Sequence, residues 1–545
     1  MTVAGCNSLH IVLDQYYARL DYPYVWFQGA RPNRRVREEI RRLQEALKRG
    51  DDFLKLHPPN AANFFGYELF GLERLGLAGG QAVIGGQDWF REHVGDVARR
   101  RWGEDAVADA FALIFLVHGR APVVFQKLEH GSTDEDWNYY HRDLSGLCRY
   151  LTRSFERLHR WQRIPVNAGL TELQDAPLLY ISGRGRLSLP ADTRRRLRRY
   201  IEEGGVIFLH ADLASKTFVQ SATALFEEMF REYDFRFRPV ETDHPVYACR
   251  FDCRARENQK AVPLLALGDG PRVYVWLCPV DIAGAWHQQR LGRHEVLYQL
   301  MGNVRIYSAP PYSRLPSRLR SVPRTAAAAA VRGSLTLRRL AHSGVWNAHP
   351  GAWQRYANGL RTRTGLDLVV RDDPEKPSLR ELKECHLVHL TARNKIVLDD
   401  RCRTALRGFL ESGGLLLVDA ADGQPAGVAA VSDFVNSLPI GEPGTLPPDH
   451  PIVTGSMPGG RPLGTLETTK AGAALARGGG TPPIYTRTLD GRVVVLACPF
   501  DLLAGMDGHF VWNRSGYEPE STAQLVDNIL LWHFARTTTQ PAAKP

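Results

Sequence analysis

Two stretches of this chain are copies of one another. Residues 172–211 read ELQDAPLLYISGRGRLSLPADTRRRLRRYIEEGGVIFLHA, and residues 381–420 read ELKECHLVHLTARNKIVLDDRCRTALRGFLESGGLLLVDA. They align without a gap at an offset of 209, with 12 of 40 positions identical. A repeat of this length is a duplicated domain, not a solenoid unit. It also supplies an internal comparison. A side chain kept in one copy and lost in the other is weak support for chemistry shared by both.

The correspondence extends in both directions. Trp137-Asn138 matches Trp346-Asn347, and Asp243-His244-Pro245 matches Asp449-His450-Pro451. Arg272 to Asp281 (RVYVWLCPVD) matches Arg492 to Asp501 (RVVVLACPFD), and the closing amphipathic stretches align Asn303 with Asn528. The offset drifts through 206, 220 and 225. Such drift is expected where loops take insertions and strands and helices do not.

Each copy alternates strand and helix. In the first, PLLYIS and VIFLH are apolar runs of strand length, and FVQSATALFEEMFREY carries apolar residues at helical spacing. Pro190 opens a helix that Gly204-Gly205 closes. FRFRPV and RVYVWL read as further strands. Strands joined by helix-length crossovers run parallel. The predicted fold class is therefore α/β: two tandem doubly wound, flavodoxin-like domains preceded by a small all-α segment. The predicted organisation is a helical segment over 1–120, a first α/β domain over 121–309, a linker over 310–330, a second α/β domain over 331–536 and a disordered tail over 537–545. Pro310, Pro311, Pro316 and Pro323 mark the linker, because they exclude a regular helix. The N-terminal segment reads as about four helices.

A hydrophobic content of 44% and a charged content of 23% suit an ordinary soluble globular protein. No apolar run is long enough to span a bilayer. Met1 to Tyr24 lacks the basic start and apolar centre of a signal peptide. A cytoplasmic location is the default, with export open should the N-terminus be truncated. The net charge of +10 comes mainly from arginine, with a run at Arg194 to Arg199. Those arginines fall outside the apolar stripe of Leu197, Tyr200 and Ile201, so a solvated helix face is favoured over polyanion binding. No nucleic-acid motif accompanies them, and nucleic acid is not an expected partner. The eight cysteines follow no disulfide or zinc spacing. Cys249 and Cys253 read as the core face of a strand, and neither a metal nor a cofactor is expected.

The order of DWN at Asp136 to Asn138, RRYIEEGGVIFLHAD, TDHPVY and LCPVDIAGAW resembles a bacterial family, domain of unknown function 4159. The likeness covers most of residues 120–535. It implies a class I glutamine-amidotransferase-like fold. The N-terminal NFFGYELFGLERLGLAGG to DAFALIFLVHGRAPV is similar to the end of a terpenoid-cyclase or prenyltransferase-like α/α-toroid. A closed toroid needs more helices than this segment holds.

An amidotransferase needs a cysteine nucleophile on the tight turn after the strand that follows Gly-Gly. The matching positions are His210-Ala211 and Asp419-Ala420, which carry neither a thiol nor a hydroxyl. Candidate acid–base or ligand-binding groups still gather at predicted strand ends. In the first copy they are His210, Asp212, Asp243, His244, Asp281 and Trp286; in the second, Asp419, Asp422, Asp449, His450 and Asp501. The Asp-His-Pro pairs read first as turns and the Asp281 and Asp501 carboxylates as helix caps. Trp137-Asn138 and Trp346-Asn347 read first as packing anchors where each copy begins. The leading functional reading is a non-catalytic ligand- or protein-binding scaffold, with a protein, small-molecule or carbohydrate partner and with its two α/β domains paired. The alternative is a hydrolase or carbohydrate-processing enzyme using His210, Asp212, His244 and Asp281 of the first copy alone.

Overall fold

The computed structural model describes residues 2–20, 34–58, 65–256, 260–315, 330–372, 377–464, 466–476 and 483–539. Most of the expected linker and the last six residues of the expected tail lie outside these. The chain divides into two compact units. One holds residues 1–267 and 273–322; the other holds 268–272 and 323–545.

The first unit begins with helices α1 (Thr2–Val12), α2 (Arg34–Leu56), α3 (Phe65–Gly79), α4 (Arg91–Arg99) and α5 (Ala106–Arg120). Four of these correspond to the expected periodic segments. The sequence gives little sign of α1, whose residues TVAGCNSLHIV form only a weak stripe. It forms because Cys6 packs on Gly50 of α2, so closely that a side chain at Gly50 would meet the sulfur. Between α3 and α4 lies a small hairpin, Val83–Ile84 against Gln87–Asp88, because Gly85 and Gly86 turn with positive φ.

The first α/β domain has strands β1 (Val123–Glu129), β2 (Arg160–Pro165), β3 (Leu178–Gly183), β4 (Val206–Ala211), β5 (Arg238–Pro239), β6 (Leu265–Gly268) and β7 (Val273–Cys278). Their order across the sheet is β2-β1-β3-β4-β7-β6-β5. The first five in this order run parallel, giving the 2-1-3-4-5 arrangement of a flavodoxin-like sheet. At the far edge β5 and β6 pair antiparallel, unlike the all-parallel expectation. The expected strand FRFRPV contributes only Arg238 and Pro239. Proline has no N–H for a ladder, which confines this segment to the sheet edge.

Alternate residues of the central strands enter different cores, as a pleated strand requires. Leu178, Tyr180, Phe208 and Trp276 meet α6 (Asp143–Phe155), α9 (Ala283–His287) and α10 (Glu295–Ser308). Leu179, Ile181, Ile207, Leu209 and Val275 meet α7 (Ala191–Glu202) and α8 (Lys216–Met229). Burial on both faces explains why these strands are apolar throughout rather than alternating.

The second α/β domain repeats the plan with β8 (Gly333–Arg339), β9 (Leu366–Arg371), β10 (Leu387–Ala392), β11 (Leu415–Ala420), β12 (Glu442–Thr445), β13 (Tyr485–Leu489) and β14 (Arg492–Cys498). Their order is β9-β8-β10-β11-β14-β13-β12, with β12, β13 and β14 antiparallel. Leu178 faces Val206 in one sheet and Leu387 faces Leu415 in the other, so the 209-residue offset is also a structural register. Helices α11 (Ala352–Thr364), α14 (Leu503–Asp507) and α15 (Pro519–Thr539) cover one face; α12 (Asp400–Glu411) and α13 (Pro425–Ser437) cover the other.

The helical segment is fastened to β2, the parallel edge of the first sheet. The Arg163 N–H donates to the Gly80 carbonyl at 2.6 Å. The Arg160 guanidinium donates to the carbonyls of His118 and Gly119 at the end of α5. An edge strand covered in this way is closed to pairing with another chain.

Candidate functional site

The groups predicted at the strand ends fall into separate places. In the first domain His210, at the end of β4, and Asp281, just beyond β7, lie 3.8 Å apart and are buried. The backbone N–H groups of Ile282 and Ala283 donate to His210 Nε2 at 3.1 and 3.4 Å. That nitrogen is therefore the acceptor, and the ring proton sits on Nδ1, which donates to Asp212 Oδ1 at 2.8 Å. Asp281 accepts the Gly284 N–H at 3.2 Å, the helix-capping role expected of it, and the Tyr140 hydroxyl at 2.6 Å. Burial raises the Asp281 carboxyl to about 6, although His210 and Tyr140 oppose the rise. Trp286 is fully buried, with its ring 6.3 Å from that of His210.

The second domain keeps the arrangement and exchanges the residues. The N–H groups of Leu502 and Leu503 donate to Asp419 Oδ2 at 2.9 and 3.3 Å. The imidazole beside it comes from the neighbouring strand, with His389 Nε2 3.2 Å from Asp419 Oδ1. Asp501 accepts from Ala504 N and Asp422 N, both at 2.8 Å, and faces His349 Nε2 at 3.4 Å. Burial would depress the His349 imidazole, but the carboxylates of Asp501, Asp269 and Asp507 together outweigh it and lift the group to about 9. Asp422 pairs with Arg393 at 2.9 Å.

Both Asp-His-Pro motifs are turns, with a division of labour the sequence did not reveal. The imidazole is the cap: His244 Nδ1 accepts the Val246 N–H at 3.2 Å, and His450 Nδ1 accepts the Ile452 N–H at 3.1 Å. Asp243 and Asp449 are exposed. His244 packs on the rings of Trp276 and Tyr307, and His450 on Trp532. Asn303 and Asn528, aligned by sequence, clamp the loops that follow. Asn303 Oδ1 accepts from Phe251 N, and Asn528 Oδ1 from Arg461 N.

Three expectations change. The turn that would present a nucleophile does not lie at His210-Ala211 or Asp419-Ala420. These residues stay in their strands because both ladders continue to the alanine. The left-handed turn comes later, at Leu213-Ala214 and Asp422-Gly423, with φ of 54° and 54°, and 56° and 63°. The nearby Ser215 hydroxyl donates to the Arg184 carbonyl while its oxygen caps α8. Second, residues 248–254 form turns rather than a strand. The Cys249 thiol donates to the Asn303 carbonyl at 3.4 Å, and burial raises that thiol to about 11. Third, Trp137-Asn138 follows β1 instead of beginning the copy; Trp137 is buried, and both residues line a cleft.

Sequence reasoning passed over Tyr140 and its counterpart His349, which occupy the same position at the 209 offset and both address the carboxylate after the last parallel strand. It also passed over Lys127, an ammonium in the middle of β1 that donates to Asp143 at 2.8 and 2.9 Å. A lone lysine within VVFQKLE was the available signal. Among the described residues no group of three or more His, Cys, Asp or Glu side chains is arranged to hold a metal ion. No helix among them is long and apolar enough to cross a membrane.

Comparison with curated proteins finds no match. Residues 124–308 and 336–534, more than half of the chain, each match the family described as Domain of unknown function (DUF4159). These two spans are the two α/β sheets with their covering helices, so the chain belongs to the DUF4159 family and carries its domain twice.

Proposed function

We propose that this is a non-catalytic binding protein, built from two amidotransferase-like domains that lack the nucleophile. One observation carries this reading: the exchange of His210 for Asp419. An imidazole and a carboxylate are poor substitutes in proton transfer, since their ordinary pKa values differ by more than two units. As acceptors for two backbone N–H groups at a helix start they are equivalent, and each accepts the same pair. The groups that looked catalytic thus hold the short helices α9 and α14 against their sheets. The left-handed turn after β4 and β11 survives in both domains but carries Leu213 and Asp422, the latter neutralised by Arg393.

Glutaminase, esterase and glycosidase assays on the full chain are expected to show no turnover above buffer. Turnover abolished by Asp281→Asn and untouched by Asp501→Asn would overturn the reading. That result would favour the second one, a hydrolase confined to the first domain. Its support is the row of groups from Tyr140, which lines the cleft and bonds Asp281, to His210, 3.8 Å from Asp281 and bonded to Asp212.

A further inference from the structure

Within the first unit, the helical segment and the α/β domain enclose a cleft of about 1040 Å³. One face of α2, including Arg37, Arg41, Gln44 and Lys48, forms a wall. The floor is Trp137 to Arg142 with His287. These segments follow the carboxyl ends of β1 and β7, the edge at which open α/β sheets hold ligands. The volume reaches the top of the range for drug-sized pockets, about 300–1,000 Å³. It suits an extended ligand better than a single small metabolite.

The lining narrows the chemistry. Among the described lining residues, six Lys and Arg side chains face four carboxylates, so the cleft favours a ligand with some negative charge. The deepest cation is Arg142, 4% exposed. Its guanidinium lies 2.8 Å from His141 Nε2 and 3.1 Å from His287 Nε2. The Asp14 carboxylate, at 3.9 Å, is shared with Arg149 at 3.1 Å. Burial raises the Asp14 carboxyl, while both arginines pull it down. A guanidinium aligned by imidazoles presents a planar fork that matches a carboxylate. The same cleft is lined by the half-buried Tyr139, the buried Trp137 and Tyr140, and the amides of Asn138 and Gln44. Flat rings beside planar amides suit the C–H faces and hydroxyls of sugar rings.

A nucleotide fits less well. In a doubly wound sheet the loop after the first strand is the usual phosphate cradle. Here the N–H groups of Ser132 and Thr133 both donate to Asp136 Oδ2 at 2.9 Å. Those bonds lower the Asp136 pKa and keep an anion where a phosphate would sit.

We infer that this cleft binds an acidic oligosaccharide, with Arg142 pairing a uronate carboxylate and the Trp137 to Tyr140 floor lying against the sugar rings. It rests on the binding reading above only in that the ligand leaves unchanged.

Titration calorimetry on the full chain with trigalacturonate, galactotriose and AMP tests it. Trigalacturonate should bind at least about tenfold more tightly than galactotriose. Arg142→Gln should lose at least about tenfold for the acidic sugar and little for the neutral one. Because Arg142 is buried, Arg37→Gln on the exposed wall is the second variant. It should weaken the acidic sugar by about two- to threefold and reduce the salt dependence of binding. Failure of both sugars to bind, equal affinity for them, or tighter binding of AMP would overturn the inference and leave the non-catalytic reading untouched. Chromatography of the released trisaccharide separates the two claims: an intact sugar upholds both, while a cleaved one upholds the site and overturns the absence of catalysis.

Discussion

At the scale of single residues, the buried charges decide more than the surface ones. Lys127 and Asp143 are almost wholly enclosed and bond directly. Removing one partner leaves an uncompensated buried charge, so Asp143→Ala should destabilise the first unit by about 3–5 kcal/mol in urea unfolding. The double variant Lys127→Met/Asp143→Leu should recover most of that loss. His349 gives a pH signature. Its folded pKa, about 9, lies above the ordinary 6.5, because the carboxylates of Asp501, Asp269 and Asp507 together outweigh the effect of burial. The sign follows from linkage: the stabilisation is complete below about pH 6.5 and is lost as pH rises through about 9. Melting of the second unit should therefore fall over that interval, and His349→Gln should flatten the profile. Arg199 pairs with Glu203 at 2.8 Å, and Arg198 pairs with Glu202 at 2.8 Å and also with Glu232. These side chains are committed to their own helix surface and its neighbour.

At the scale of elements, periodicity and punctuation located the central strands and the long helices, because those features depend on near neighbours in the chain. They did not locate α1, the antiparallel edge strands or the late left-handed turns, because each of these depends on a distant partner. The contact between the helical segment and β2 is such a case. Gly80 holds φ of +62°, and a Cβ there would lie 2.5 Å from the Trp161 ring. Gly80→Ala adds both strain and overlap, and should cost the first unit about 1–3 kcal/mol. Its chemical-denaturation midpoint should drop while that of the second unit stays in place. Equal loss in both units would show that Gly80 acts elsewhere.

At the scale of the whole molecule, two units with their own hydrophobic cores should unfold in two calorimetric transitions. The caps allow these to be assigned. His210→Ala and Asp419→Ala each strand two buried N–H groups, at about 1–3 kcal/mol. Each should lower only its own transition, by about 2–4 °C per kcal/mol. A variant that shifted both equally would contradict the local role of the cap.

The sequence alone determined the duplication, the α/β class and the lack of a thiol at the expected turn. Each follows from the order and periodicity of residues along the chain, and a gapless 209-residue offset survives folding as strand register. Only the tertiary structure decided what His210 and Asp419 do. An acceptor becomes a cap or an acid–base group according to which N–H groups meet it, and those belong to segments 72 to 84 residues away. The cleft likewise joins α2 to the loop after β1, a proximity set by how the helical segment packs on β2 and written in no local pattern.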